Sequence, residues 1–259
     1  MTNDSVLIEQ DEDGIALVTL NRPDALNSAN EELHTAIAGV WSELKERPGV
    51  KAVVLTGAGR AFSAGGDLPL LQRMVDDPVL RTKVMSESSV LVRGMVHSPW
   101  PILSAVNGPA VGLGCSLASL SDLVVIEEDG FFADPHVSIG LVAGDGGALT
   151  WPLSTGLQRT KEWLLLGGKI TAQEAYQFGI ANRVVPKGEA VAEAKKLARR
   201  LVKLPPQAML ETRRVLNQPL IDRIEEALDD LLATETKSFE EPAFHTALRK
   251  VLEKKGLKA

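Results

Sequence analysis

Two stretches of this chain run from an apolar strand into a glycine-rich turn and then towards a helix, and they restrict its fold more than anything else in it. The first is Val53-Val54-Leu55-Thr56-Gly57-Ala58-Gly59-Arg60-Ala61-Phe62-Ser63-Ala64-Gly65-Gly66-Asp67. The second is Val106-Asn107-Gly108-Pro109-Ala110-Val111-Gly112-Leu113-Gly114-Cys115-Ser116. Glycines let backbone approach a ligand closely, and a helix start presents unpaired N–H groups carrying partial positive charge. Such turns suit a phosphate or an oxyanion. The Gly57-Ala58-Gly59 segment mimics a dinucleotide fingerprint, but Phe62 stands where its third glycine belongs. Neither a Walker A lysine pattern nor an HExxH zinc pattern occurs.

Around these turns the pattern alternates between strand and helix. Residues 6–9 and 15–20 predict a β-hairpin across the turn at Gly14. Leu33, Ile37, Val40, Trp41 and Leu44 fall at helical spacing within residues 30–47, and Pro48-Gly49 forms a stop. Residues 53–55, 102–106 and 123–126 are short apolar strands. Strands alternating with helices imply crossover connections and a largely parallel sheet, hence an α/β fold. Composition shifts after Pro186, and from Glu189 onward amphipathic helix predominates, with breaks expected at Pro205-Pro206, Pro219 and Pro242. Leu220, Ile221, Ile224, Leu228, Leu231 and Leu232 form an apolar stripe that either packs on the chain's own core or meets another subunit.

Composition excludes several classes. The net charge of -6 and the lack of a Lys/Arg run disfavour nucleic acid as a partner. Residues 98–121 carry no charge, but three prolines, three glycines and Asn107 make them a strand, a turn and a small-residue helix rather than a membrane span. The N-terminus shows no basic region followed by an apolar stretch, and the single cysteine, Cys115, permits no internal disulfide. Both features point to a cytoplasmic protein without membrane association.

Taken together, the two turns resemble those of the crotonase superfamily, the enoyl-CoA hydratase/isomerase family, and the resemblance covers most of the chain. Asn21-Arg22-Pro23-Asp24-Ala25-Leu26-Asn27 is similar to the family's opening loop, which touches coenzyme A. Phe62-Ser63-Ala64-Gly65-Gly66-Asp67-Leu68 and Ala105-Val106-Asn107-Gly108-Pro109-Ala110-Val111-Gly112-Leu113-Gly114-Cys115 resemble its two oxyanion segments. Phe132-Ala133-Asp134-Pro135-His136 and residues 140–147 fall where its catalytic loop runs, and residues 165–175 and 179–186 complete the pattern.

The resemblance implies a spiral of ββα and βαβ turns over residues 1–200, and a C-terminal helical region over 201–259 used to form a homotrimer or homohexamer. It implies an acyl-CoA substrate, with coenzyme A part of that substrate, no separate cofactor and no metal. The backbone N–H groups of Gly66 and Leu113 would hold the thioester oxygen. Arg22, Asp24, Ala25, Ala64, Gly66, Asp67, Leu68, Gly112 and Leu113 would contact the acyl-CoA. Preorganised donors of this kind matter because losing one costs about 3 to 4 kcal/mol of barrier in well-studied enzymes.

The acid–base residues depart from the family pattern. Typical hydratases hold water between two glutamates, and those positions are Ser116 and His136 here. Asp145, in Gly144-Asp145-Gly146-Gly147, is the obvious replacement, and a His136–Asp145 pair would give a proton acceptor near neutral pH. Each residue has a plainer reading: Asp145 as a helix cap, Asp134 as a turn former, His136 as a satisfied loop histidine.

Water addition to a 2-enoyl-CoA leads, followed by double-bond isomerisation and hydrolytic C–C or thioester cleavage. Two other classes stand beside them. One is a noncatalytic acyl-CoA-binding protein. The other is an α/β-hydrolase, because Gly114-Cys115-Ser116-Leu117-Ala118 nearly matches a nucleophile elbow, with Ser116 as nucleophile and His136 or His245 as base. Trp100, Phe131, Phe132 and Trp151 either shape a pocket or fill the core.

Overall fold

The computed structural model describes residues 4–257; Met1, Thr2 and Asn3, which carry part of the leader reading, lie outside them. Strand β1 (Val6–Gln10) pairs antiparallel with β2 (Ile15–Leu20), as the hairpin reading expects. Helix α1 (Glu31–Glu46) begins where the Asn30 side chain accepts the Leu33 N–H at 3.0 Å, a standard N-cap. Its buried face carries Leu33, Ile37, Val40, Trp41 and Leu44.

Strand β3 (Ala52–Gly57) is followed by α2 (Leu68–Asp76), α3 (Pro78–Val96) and β4 (Ile102–Val106). The chain continues through β5 (Pro109–Val111), α4 (Leu113–Ser119), β6 (Leu123–Glu127) and β7 (Phe131–Ala133). Helices α5 (His136–Ile139), α6 (Gly147–Thr155) and α7 (Leu157–Leu166) precede β8 (Ile170–Thr171), α8 (Ala172–Gln177) and β9 (Arg183–Val185). Helices α9 (Ala190–Val202), α10 (Pro206–Ser238) and α11 (Pro242–Lys254) end the chain.

The main sheet has six strands in the order β1-β2-β3-β4-β6-β9, parallel from β2 onward. Its central strands read as unbroken apolar runs because both faces are covered. Side chains alternate across each strand. Val53 and Leu55 therefore join the large core with α1 and α3, while Ala52 and Val54 face a smaller cluster with Ala190, Ala194 and Leu197 of α9. A second sheet, β5-β7-β8, stands beside the first. Its parallel β5–β7 pair delivers the chain to Gly112 on one side and Asp134 on the other.

The uncharged segment at residues 98–121 forms β4, β5 and α4. Among the described residues, no helix is long and apolar enough to cross a membrane.

One expected break is absent. Pro205-Pro206 and Pro242 do begin helices, but Pro219 sits inside α10, which runs unbroken for 33 residues. A proline inside a helix removes one hydrogen bond and crowds the preceding turn, a cost of about 3 kcal/mol. The apolar stripe offsets that cost: Ile224, Leu228 and Leu232 are buried in the main core, with Leu220, Ile221 and Leu231 packed against it. The stripe thus serves this chain's own core.

Candidate active site

The two glycine-rich turns are stitched together before either meets a ligand. Ser63 accepts the Val111 N–H at 2.9 Å, and Pro109 accepts the Phe62 and Ser63 N–H groups at 3.1 Å. At Gly65, with φ of +86°, a Cβ would lie 2.8 Å from the Val111 carbonyl oxygen, so only glycine lets the turns close to this distance. Asn27 ties in the opening loop. Its side-chain amide donates to the Ala58 and Ala61 carbonyls at 2.9 and 2.8 Å, and its Oδ1 accepts the Arg22 N–H at 2.8 Å.

The result is a cavity of about 300 Å³ bordered by Gly66 and Leu113. The Leu113 N–H is the first of α4, and such N–H groups have no partner within their own helix. Among the described residues, neither the Gly66 nor the Leu113 N–H is taken by a backbone or side-chain acceptor. Ala64, Leu68 and Gly112 also line this cavity. Arg22 and Asp67 line an adjoining open groove instead and form an ion pair at 3.1 Å, and Asp67 also caps α2. Asp24 and Ala25 lie in a 3-10 turn of the opening loop and border neither space.

Four titratable groups reach the cavity: His34 on its far wall, and His136, Asp145 and Glu235 beside the glycine turns. Asp145 is not a helix cap. Helix α6 is preceded by Gly146 with no side-chain cap, while Asp145 Oδ1 accepts the Ser116 hydroxyl at 2.9 Å. Ser116 does not line the cavity; it stands behind Asp145 and fixes its carboxyl. The partner of His136 is Asp134 rather than Asp145: Nδ1 lies 2.5 Å from Asp134 Oδ1, which also accepts the His136 backbone N–H at 3.1 Å. Asp134 is thus both a turn former and the counter-ion of the imidazole.

Electrostatics sharpen these roles. Burial opposes charge on His136, but Asp134, with Asp145 and Glu235 adding to it, pushes the imidazole up to about 10. Burial likewise pulls Asp134 upward, and His136 outweighs it and holds that carboxyl below its ordinary value. The Asp134 carboxylate therefore favours the imidazolium form of His136, and the carboxylate–imidazole pair is Asp134–His136 in place of the expected His136–Asp145. Glu235 moves the other way. Burial, reinforced by Asp145 and Asp134 against the opposing pull of His136, raises it to about 8. A carboxyl in that state is protonated near neutrality and can donate.

Glu235 escaped the sequence reading, yet it had a signal. It continues the α10 stripe one turn beyond Leu228 and Leu232 and is followed by buried Phe239, so it is a carboxyl placed on an apolar face. Its Oε2 is buried without a hydrogen-bond partner. The glycines around Asp145 make room for these groups: a Cβ at Gly144 would lie 2.6 Å from Glu235 Oε2, and one at Gly146 would lie 2.6 Å from Ser116 Oγ.

The nucleophile-elbow reading fails on this geometry. Ser116 lies within α4 bonded to Gly112 and Asp145, His136 is held by Asp134, and His245 Nε2 meets the Phe239 carbonyl at 2.7 Å. Trp151 and Phe132 are core side chains, and Trp100 and Phe131 do not border the cavity.

Comparison with known proteins places the fold and the family. A crystal structure of an enoyl-CoA hydratase/isomerase from Mycobacterium paratuberculosis superposes with a TM-score of 0.92 at 45% identity, covering 95% of this chain and 98% of that one. A putative enoyl-CoA hydratase of Thermus thermophilus is 36% identical over 81% of this chain and 83% of its own length. The structure of a β-diketone hydrolase from Anabaena, bound to (S)-3-oxocyclohexyl acetic acid, matches with a TM-score of 0.83 at 29% identity, covering 92% of this chain and 94% of that one. Residues 10–258 match the enoyl-CoA hydratase/isomerase family as a whole. With a crotonase-type fold and a cavity walled by both glycine turns, this chain belongs to the enoyl-CoA hydratase/isomerase family.

Proposed function

We propose that this protein adds water across the double bond of a 2-enoyl-CoA. The observation that carries the reading is Glu235, a buried carboxyl raised to about 8 with one unpaired oxygen, sharing a cavity with Asp145 and the free N–H groups of Gly66 and Leu113. In this reading the thioester oxygen lies between the Gly66 and Leu113 N–H groups. Asp145 takes a proton from water as its oxygen bonds to the β carbon. The electron pair of the double bond moves onto the thioester as an enolate, stabilised by the two donors. Glu235 then gives its proton to the α carbon, and the proton on Asp145 returns to Glu235 to reset the site. The His136 imidazolium adds positive charge where the enolate forms. Asp145 and Glu235 thus stand in for the two glutamates of typical hydratases.

A second reading is hydrolytic C–C cleavage, favoured by the likeness to the β-diketone hydrolase. There Asp145 activates water towards a ketone carbon, the neighbouring C–C bond breaks, and Glu235 protonates the departing enolate carbon. Isomerisation would need only one of the two carboxyls to shuttle a proton. The mass of the product separates the three. Hydration gives one product heavier by one water, cleavage gives two fragments, and isomerisation leaves the mass unchanged. Loss of the enoyl thioester absorbance across short, branched and aromatic enoyl-CoAs, with gain of one water, is the expected result; a flat trace throughout would sink the hydratase reading.

The helical region is proposed to assemble the protein as a homotrimer or homohexamer. Val215 and Leu216, large apolar side chains exposed on α10, support this. Sedimentation of a monomer alone at micromolar concentration would count against it.

A further inference from the structure

The cavity has a second polar wall that the proposed chemistry does not use. Most of its lining away from the glycine turns is apolar, with Leu70, Leu71 and Met74 from α2 and Val84 and Met85 from α3. Into this surface α1 places His34 and α3 places Ser88, both more than nine-tenths buried. The His34 ring is held firmly. Its Nδ1 lies 3.0 Å from Glu87 Oε2, and Glu87 also accepts the Thr35 hydroxyl at 2.8 Å and lies 3.6 Å from Lys83 Nζ. Burial raises the Glu87 carboxyl, but His34, Thr35 and Lys83 outweigh it and hold it below its ordinary value. An ionised carboxylate at that distance requires the proton on Nδ1, which leaves Nε2 on the other side of the ring.

Nε2 is 3.4 Å from Ser88 Oγ, a long contact, while Ser88 Oγ lies 3.2 Å from the Val84 carbonyl that also takes its single hydrogen. One hydroxyl hydrogen cannot serve both. The hydroxyl hydrogen therefore turns to one acceptor or the other, and the nitrogen and the hydroxyl, side by side on the wall of an apolar cavity, can also turn to a ligand.

We infer that this pair recognises an oxygen substituent, hydroxyl or ketone, carried on the acyl chain of the substrate. The inference rests on the acyl-CoA reading and adds to it a substrate class: oxygenated acyl groups rather than plain alkyl chains. A hydroxyl donates to Nε2 while accepting from Ser88, and a ketone accepts from Ser88 or from a protonated ring. A methyl group in the same place would desolvate both polar groups and satisfy neither. Sites built to hydrogen-bond a substrate oxygen discriminate strongly against analogues that lack it.

The test is a calorimetric titration of the full-length protein with matched saturated acyl-CoAs that end in a methyl, hydroxyl or ketone-bearing group, so that no turnover intervenes. Wild type is expected to bind one oxygenated member at least about tenfold more tightly than its methyl counterpart. Which one is favoured distinguishes an acceptor Nε2 from a protonated ring. Ser88→Ala, a small change compatible with the helix, should bring that ratio towards one, and His34→Leu should do so more completely. Equal or tighter binding of the methyl member by wild type, or an unchanged ratio in both variants, overturns the inference. If no member binds, the acyl-CoA reading itself fails and takes the inference with it; methyl-member binding without discrimination sinks the inference alone.

Discussion

Glu235 and Asp145 meet the same cavity in different surroundings, and the difference sets their roles. Asp145 is tied to Ser116, whereas Glu235 has an oxygen buried without a partner. General acid and base groups typically contribute about 10²- to 10⁴-fold to rate. Glu235→Gln, which keeps the shape but cannot give up a proton, should lower kcat by about a hundredfold or more with little change in acyl-CoA affinity. Asp145→Asn should do likewise, and retention of near-wild-type turnover by either variant, measured on the substrate that wild type turns over, would remove that residue from the mechanism. Gly65→Ala tests the junction of the turns. Its φ of +86° and the 2.8 Å approach of the Val111 oxygen leave no unstrained place for a methyl group. Stability should fall by about 1–3 kcal/mol in denaturant titration, and turnover should fall with it as the two N–H donors move apart.

At the scale of elements, α10 concentrates the lessons. Pro219 is exposed and leaves the helix short of a backbone hydrogen bond without adding an apolar contact to the core. Pro219→Ala should therefore raise stability by roughly 1–3 kcal/mol, read as a higher melting temperature. The hairpin, the first helix and the central strands were legible because periodicity reports burial directly: Leu33, Ile37, Val40, Trp41 and Leu44 are the buried face of α1. Proline at position 219 misled because local propensity weighs against a helix there, while the packing of Ile224, Leu228 and Leu232 outweighs it. Gly66, Leu113 and Asp145 were legible because each lies in a contiguous motif. The pairings Asp134–His136 and Ser116–Asp145 were not, because each of the four residues has a sound local explanation and only tertiary approach chooses its partner. Glu235 stood apart from any motif and could be found only as a carboxyl out of place on an apolar face.

For the whole molecule, the buried charges couple stability to pH. Glu235 is raised from 4.5 to about 8 and His136 from 6.5 to about 10. In both cases the folded state holds a proton that the unfolded chain releases at lower pH. Their contribution is complete below the unfolded values and is lost as pH rises through the folded ones. Stability should thus begin to fall above about pH 4.5 through Glu235, fall most steeply between about 6.5 and 8 where both groups act, and continue falling to about 10 through His136. Urea titrations at pH 6, 8 and 10 should show this order, and Glu235→Gln should flatten the slope below about pH 8. A stability that rises over this interval in wild type would contradict the protonation states assigned to the cavity.

Helix α10 also sets an order of events when the chain is made. Both glycine turns, Asp134, His136 and Asp145 precede residue 147, while the carboxyl opposite them arrives with residue 235. Chains are made from the N-terminus and fold largely in that order. The residues that carry the two N–H donors therefore leave the ribosome well before the helix that brings the acid. Glu235, Phe239 and Val251 also supply part of the cavity's wall, so the pocket and its acid are completed together, when the last quarter of the chain docks.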